Sequence, residues 1–319
     1  MRIAYIKPSF PNEKRVGLLP QHLPYCSSED ERRFESGYGA SLDILDSAYE
    51  ETGGYSRESL FAWADVIYSI KVPQPQDYKY FRDNQTLAGW IHPLGSGEHF
   101  TENCAKPKNI TVFDITNRIS IRHYKGREEV LNVPRDITQR NSVLAGYAST
   151  LQAITLRGGV TKDEKVAVFG SGNVAYGAMK YLSEKGITPI LRRRSNLALL
   201  RQELSSYDIL INGVEIEEGE PPIATQAMID GMKPGAWIID VAADAGRAIE
   251  GTKYTSIDNP TYTDKREHTF YVVNNSPSLL FRESSEAVSE GYAQHFWSKP
   301  MEYWYTDYCV ANKTLSLAG

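Results

Sequence analysis

No apolar run in the chain approaches the roughly 20 residues that a membrane-spanning helix needs, which excludes an integral helical membrane protein. Cysteine is scarce. Cys26, Cys104 and Cys309 are far apart, odd in number and outside any C-x-x-C or histidine-rich spacing, which argues against a disulfide framework and a zinc site. Ordinary reduced thiols of a cytoplasmic protein are expected, rather than a catalytic cysteine. Basic charge is not in excess: 35 Lys and Arg stand against 40 Asp and Glu, a formal net charge of -5. Apart from Arg192, Arg193 and Arg194 the cations are scattered, so nucleic acid is not an expected partner. The opening MRIAYIKPSF reads as a short strand ending in a loop, without the apolar core and cleavage site of a signal peptide. No repeat, low-complexity tract or Pro/Gly/Ser-rich linker is present.

What the chain does have is enough apolar residue, 41% over 319 positions, for two separate cores. Apolar runs alternate with helix-like stretches, the pattern of α/β layers with parallel strands. Strands are predicted at 2–7, 66–72, 86–91 and 110–114, then at 165–169, 188–191, 208–212, 237–241 and 271–274. Between the two groups, residues 141–156 carry apolar and small residues at helical spacing and read as a connecting helix. A second helical stretch over 277–296 suggests that the chain returns to its first domain.

The sharpest local signal is KVAVFGSGNVAYGAMKYL, where a strand runs into Gly170-Ser171-Gly172-Asn173-Val174-Ala175 and then a helix. This is the context of a dinucleotide site: Gly170 for the tight turn, Gly172 for close approach of a pyrophosphate, and Ala175 as the small residue where helix meets strand. Ser171, Asn173 and Val174 complete the loop, whose free N–H groups and helix dipole favour phosphate. The alternative is ordinary strand-turn-helix packing. The next predicted strand ends in Arg192-Arg193-Arg194, where an NAD-binding chain would carry an acid on the adenine ribose. A guanidinium there attracts a 2′-phosphate, so NADP(H) is the expected cofactor, with Arg192 its first contact and Arg193 a second. The competing reading is a solvated basic loop.

In the first half, Arg15 stands in PNEKRVGLLP, Lys71 in YSIKVPQP and His92 in GWIHPLGSG. Each has an ordinary explanation: a surface charge, an exposed strand end, a histidine set between turn residues. Together with NSVLAGYA, VAVFGSGNVAYGA, DILINGVEI, IIDVAADAGRAIEG, TSIDNPTY and VVNNSPSLLFRESS, however, these segments resemble, in order and nearly end to end, the alanine dehydrogenase and transhydrogenase superfamily. Within it they are most similar to the carboxyethylornithine synthase group, above all in GWIHPLGSG and DVAADAGRAIEG.

The resemblance implies two Rossmann-like α/β domains with parallel sheets and an active-site cleft between them. It implies a discontinuous substrate domain over 1–140 and 276–319, a nucleotide domain over 141–275, and a homo-oligomer, dimer or tetramer. Residue by residue, Arg15 and Lys71 would bind a 2-oxo acid and His92 would be the proton donor. The Asp240–Asp244 segment would lie near the nicotinamide, with Ala242 a cofactor contact and Asp244 a catalytic acid. Asn275 would belong to the segment that closes over nicotinamide and substrate. For Asp244 a turn carboxylate before Gly246 is an equal alternative.

The expected reaction is NADPH-dependent condensation of a 2-oxo acid, pyruvate, with the amine of an amino acid, ornithine or lysine. Small-molecule substrates and further copies of the chain would be its partners, with no nucleic acid, membrane or metal. His92 is expected to titrate near neutrality and carry the proton traffic. Two other enzymes stay open: reductive amination by ammonia and a saccharopine dehydrogenase-like activity. A non-enzymatic nucleotide-binding protein is the third reading, since fold alone does not prove chemistry.

Overall fold

In a computed structural model, residues 1–50, 53–93, 96–115, 119–124, 127–132, 135–216 and 219–302 are described; Cys309 falls outside them. The chain divides into two compact units, residues 1–138 with 281–319, and residues 139–280.

The first unit is built on strands β1 (Arg2–Tyr5), β2 (Glu31–Phe34), β3 (Val66–Ser69), β4 (Thr86–Gly89) and β5 (Thr111–Asp114). They form a sheet of order β2-β1-β3-β4-β5, all neighbours parallel. Every residue of β3, β4 and β5 is buried, as expected of parallel strands covered on both faces. One face carries the core of Tyr5, Tyr68, Val288, Tyr292 and Trp297, to which α7 (Phe281–His295) contributes. The other is covered by α1 (Arg57–Trp63) and by α2 (Glu98–Phe100), which runs on as a π-helical turn over Thr101–Ala105. Beyond this sheet the backbone makes an antiparallel hairpin of β6 (Ile119–Tyr124) and β7 (Arg127–Asn132).

The helix α3 (Arg135–Arg157) carries the chain into the second unit. Its strands are β8 (Val166–Phe169), β9 (Ile190–Arg192), β10 (Ile209–Asn212), β11 (Trp237–Asp240), β12 (Thr261–Thr263) and β13 (Thr269–Tyr271). Their order is β12-β13-β11-β10-β8-β9, parallel except for the β12–β13 pair. Helix α4 (Asn173–Glu184) packs with α3 on one face; α5 (Leu197–Glu203) and α6 (Gln226–Asp230) supply the other core. The two helices α3 and α4 cross at backbone contact: a Cβ on Gly177 would lie 2.0 Å from the Val143 carbonyl oxygen, and one on Gly146 would lie 1.8 Å from that of Val174.

Both units are parallel α/β layers, and the main differences from the sequence reading are local. β2 and the β6–β7 hairpin were not predicted. β2, with the sequence ERRF, is an edge strand in which three of four residues are charged, which hides any apolar signal. The predicted helix over 277–296 begins instead as a 3-10 turn, Ser276–Leu280, before α7.

Candidate active site

The charged residues of the first unit gather where parallel strands end, the edge at which α/β sheets bind ligands. Glu13 and Arg15 lie in the connection after β1, Lys71 two residues beyond β3, His92 three beyond β4, and Asp114 at the end of β5. Arg15 is 1% exposed, and its guanidinium is clamped by Glu13: Nε donates to Oε1 at 2.7 Å and Nη2 to Oε2 at 2.6 Å. A bidentate buried pair of this kind fixes the fork's orientation as well as its charge. The Trp90 ring lies 5.4 Å from the guanidinium carbon. Lys71 is buried beside Arg15, Glu13 and Asp114, with its ammonium 5.5 Å from the Phe10 ring. The Ser69 hydroxyl donates to the Lys71 carbonyl at 2.6 Å and holds the backbone there.

Electrostatics separates the roles of these groups. Burial alone would raise the Glu13 carboxyl, but Arg15 holds it below the ordinary carboxylate range. Burial and the Arg15 charge push the Lys71 ammonium down to about 8, against the pull of Glu13 and Asp114. Burial and the Lys71 charge push His92 down to about 3. The expectation that His92 titrates near neutrality is therefore corrected: its imidazole is neutral in the free chain, and Lys71 is the group poised near physiological pH. His92 also holds a left-handed backbone, φ 50°. That conformation costs a non-glycine residue on the order of 1–3 kcal/mol. It is held by the Gly97 N–H, which donates to the His92 carbonyl at 2.9 Å, and by the Asp114 carboxylate, which accepts the Ile91 N–H at 2.9 Å.

In the second unit, β8 ends at Phe169 and the chain turns on Gly170, φ 119°, whose N–H donates to the Arg192 carbonyl at 2.8 Å. A side chain there would collide with Val214 as well as strain the backbone. Ser171 and Gly172 are exposed, Asn173 and Val174 half-buried, and the space in front of Gly172 is open. The N-cap of α4 is Gly172, which brings no capping side chain, and the fully buried Ala175 lets the first turn sit against Gly213. An open glycine loop leading into an uncapped helix of twelve residues fits a dinucleotide pyrophosphate.

The arginines are not equivalent. Arg192 donates from Nε and Nη2 to Glu203 Oε2, at 3.1 and 2.5 Å, and from Nη1 to the Leu191 carbonyl at 3.1 Å. Its guanidinium is thus already occupied, unlike the ligand-ready group the sequence suggested.

Asp244 is buried. It accepts the Ile216 N–H at 3.1 Å and lies 3.6 Å from Arg247, tying the segment after β10 to the one after β11. Half-buried Ala242 and left-handed Ala243, φ 55°, precede it. Asn275 is buried at the end of the strand region that β13 begins. Arg15, Lys71 and His92 thus share one unit, while Asp244 and the nucleotide-loop residues belong to the other.

Several groups escaped the sequence reading. Glu13 and Asp114 sit beside residues already singled out, and only the strand-end rule could have drawn attention to Asp114. Asp240, at the end of β11, is fully buried; its Oδ1 accepts from Asn212 at 3.0 Å, and its carboxyl also faces the backbone N–H groups of Ala243 and Asp244. Burial raises its carboxyl to about 7. A cavity of about 420 Å³ lined by Lys253, Tyr262 and Asp264 lies at the β12 edge of the second unit.

Comparison with known proteins finds two matching domain families and full-length relatives. The alanine dehydrogenase/PNT N-terminal domain family matches residues 6–122 and its C-terminal domain counterpart matches residues 179–316. An N(5)-(carboxyethyl)ornithine synthase from Clostridium botulinum is 39% identical over 310 residues, 95% of this chain and 96% of that one. A second, from Lactococcus lactis subsp. lactis, is 37% identical over 94% of this chain and 97% of that one. A solved L-alanine dehydrogenase superposes with a TM-score of 0.76 over 96% of this chain and 92% of that one; at 20% identity it speaks to the fold alone.

Proposed function

Because the chain belongs to the alanine dehydrogenase/PNT family and is a pyridine-nucleotide-dependent oxidoreductase, we propose that it uses NADPH to join a 2-oxo acid, pyruvate, to the side-chain amine of ornithine or lysine. The product is an N-(1-carboxyethyl) amino acid. The observation that carries this reading is the buried Arg15–Glu13 clamp beside Lys71 and His92 at the strand ends of the first unit.

The chemistry assigns a task to each group. Arg15, oriented by Glu13, recognises the oxo-acid carboxylate. Lys71, protonated below about pH 8, polarises the carbonyl and supplies the proton that leaves with oxygen as water. Neutral His92 relays the proton that the attacking amine sheds to the carbinolamine oxygen, which leaves as water with this proton and the one from Lys71. The nucleotide, when bound, supplies hydride to the iminium carbon. Asp244 offsets the charge of that iminium. Carbon–nitrogen bond formation expels one water and one NADPH is consumed; the secondary amine product and Lys71 each take up a proton from solvent.

The NADPH preference is supported by the arginine run at the end of β9, which stands where an NAD-binding chain carries an acid on the adenine ribose. Oxidation of NADPH is measured with pyruvate, glyoxylate or 2-oxoglutarate crossed with a panel of amino acids and ammonia, and products are read by mass spectrometry. An N-(1-carboxyethyl) diamino acid is expected. Alanine from ammonia as the sole product would replace this reading with an alanine dehydrogenase.

A further inference from the structure

We propose that Arg193, rather than Arg192, is the side chain that reads the 2′-phosphate of the nucleotide, and that Glu203 with Tyr207 holds Arg192 as a positioning residue for the loop. The inference rests on the NADPH reading above and names the residue responsible for it.

The three adjacent guanidinium groups differ in how their donors are engaged. Arg192 has each of its nitrogens in a hydrogen bond, two to the Glu203 carboxylate and one to the Leu191 carbonyl. Tyr207 donates its hydroxyl to the same Glu203 oxygen, which anchors the carboxylate from a second side. Arg194 is taken by Glu220, at 2.9 and 3.2 Å, and by the Glu215 carbonyl. Arg193 lies between them, exposed, with no acidic partner among the described residues.

Its backbone is nevertheless fixed. The Arg193 N–H donates to the Asn196 side chain at 2.6 Å, and its extended conformation, φ -128° and ψ 169°, continues β9 by one residue. The site is also joined to the glycine loop, since the Arg192 carbonyl receives the Gly170 N–H. A dianionic phosphate arriving here meets one cation already neutralised on each side and one that is not. Recruiting Arg192 would require breaking its two bonds to Glu203 and leaving that carboxylate beside the phosphate, a like-charge contact. Arg193 requires only that a solvated side chain settle. Arg192 instead aligns the strand end to which the phosphate loop is attached.

The test is nucleotide binding by the full chain, followed by fluorescence titration with NADPH and NADH and by competition with 2′,5′-ADP, which carries the phosphate without the nicotinamide. Arg193→Ala is expected to weaken NADPH and 2′,5′-ADP by about tenfold to a hundredfold, the value of one charge-assisted pair, with NADH changed by less than about twofold. Arg192→Ala is expected to weaken NADPH and NADH by the same factor, because it loosens the loop and not the phosphate contact. Glu203→Gln is expected to leave the NADPH-to-NADH ratio unchanged. The proposal is overturned if Arg193→Ala binds NADPH like the parent, or if Arg192→Ala loses NADPH selectively, or if Glu203→Gln raises the ratio by releasing Arg192. Equal affinity of the unaltered chain for NADPH and NADH would instead strike at the cofactor reading itself, and needs no variant to be seen.

Discussion

The pH profile of the reaction should carry an alkaline limb that belongs to Lys71. Its ammonium is brought from 10.5 to about 8 by burial and by Arg15. That displacement corresponds to about 3 kcal/mol in favour of the neutral amine, at about 1.36 kcal/mol for each pH unit. If the protonated form polarises the carbonyl, roughly nine-tenths of the enzyme is competent at pH 7 and roughly a tenth at pH 9. The ratio kcat/KM for the oxo acid should then fall as pH rises through about 8. His92, held near 3, adds no limb in the working range. The acid limb arises from protonation of the amine substrate and should move when the donor is changed, whereas the alkaline limb should not. Glu13→Gln removes a charge that helps Lys71 keep its proton, so the alkaline limb should move down, by about half a unit or more. The assay is NADPH oxidation at saturating nucleotide between pH 5.5 and about 10, the span over which Lys71 and the amine titrate. An alkaline limb that stays in place in Glu13→Gln but vanishes in His92→Gln would refute the assignment and return the proton to the histidine.

Three further outcomes are expected. Arg15→Lys should keep NADPH binding and lose nearly all turnover, because the ammonium cannot reproduce the fork that Glu13 holds; near-normal kcat/KM would remove Arg15 from the site. Asp240→Asn should stabilise the protein by about 2–4 kcal/mol at pH 8 and by little at pH 4. The sign follows from a carboxyl raised from 3.8 to about 7: its contribution to stability is present below the unfolded value and lost as pH rises through the folded one. Urea unfolding at the two pH values measures this, and equal effects at both would count against it. Gly177→Ala should cost about 1–3 kcal/mol, since its methyl would enter the α3–α4 crossing; an unchanged urea midpoint would show that the helices can separate.

Those parts of the fold that short segments specify are legible in the sequence. The nucleotide loop is such a case, because strand, glycines and helix follow one another within eighteen residues of KVAVFGSGNVAYGAMKYL. Central strands such as 208–212 and 237–241 were visible because burial on both faces makes them continuously apolar. β2 was not, since an edge strand keeps its charges. In the site, Arg15, Lys71 and His92 had no mutual relation in the sequence beyond the family resemblance; their proximity follows from three strand ends meeting at one edge. The occupation of Arg192 by Glu203 depends on α5 folding back eleven residues later. The depressed values of Lys71 and His92 are properties of enclosure and of each other, which residue identity alone does not carry.

The contact between α3 and α4 bears on how the nucleotide is received. Val174, whose carbonyl faces Gly146, and Gly177, which faces Val143, both lie in the first turns of the helix that the phosphate loop enters. Backbone packed directly on backbone leaves no side chain to act as a cushion, so those turns have little freedom to adjust. The donors that meet the pyrophosphate are consequently set in place when the chain folds, and a ligand arriving at the loop loses little affinity to ordering it. Substitutions along this seam, remote from any bound atom, should therefore register as weaker nucleotide affinity through slackness of the receptor.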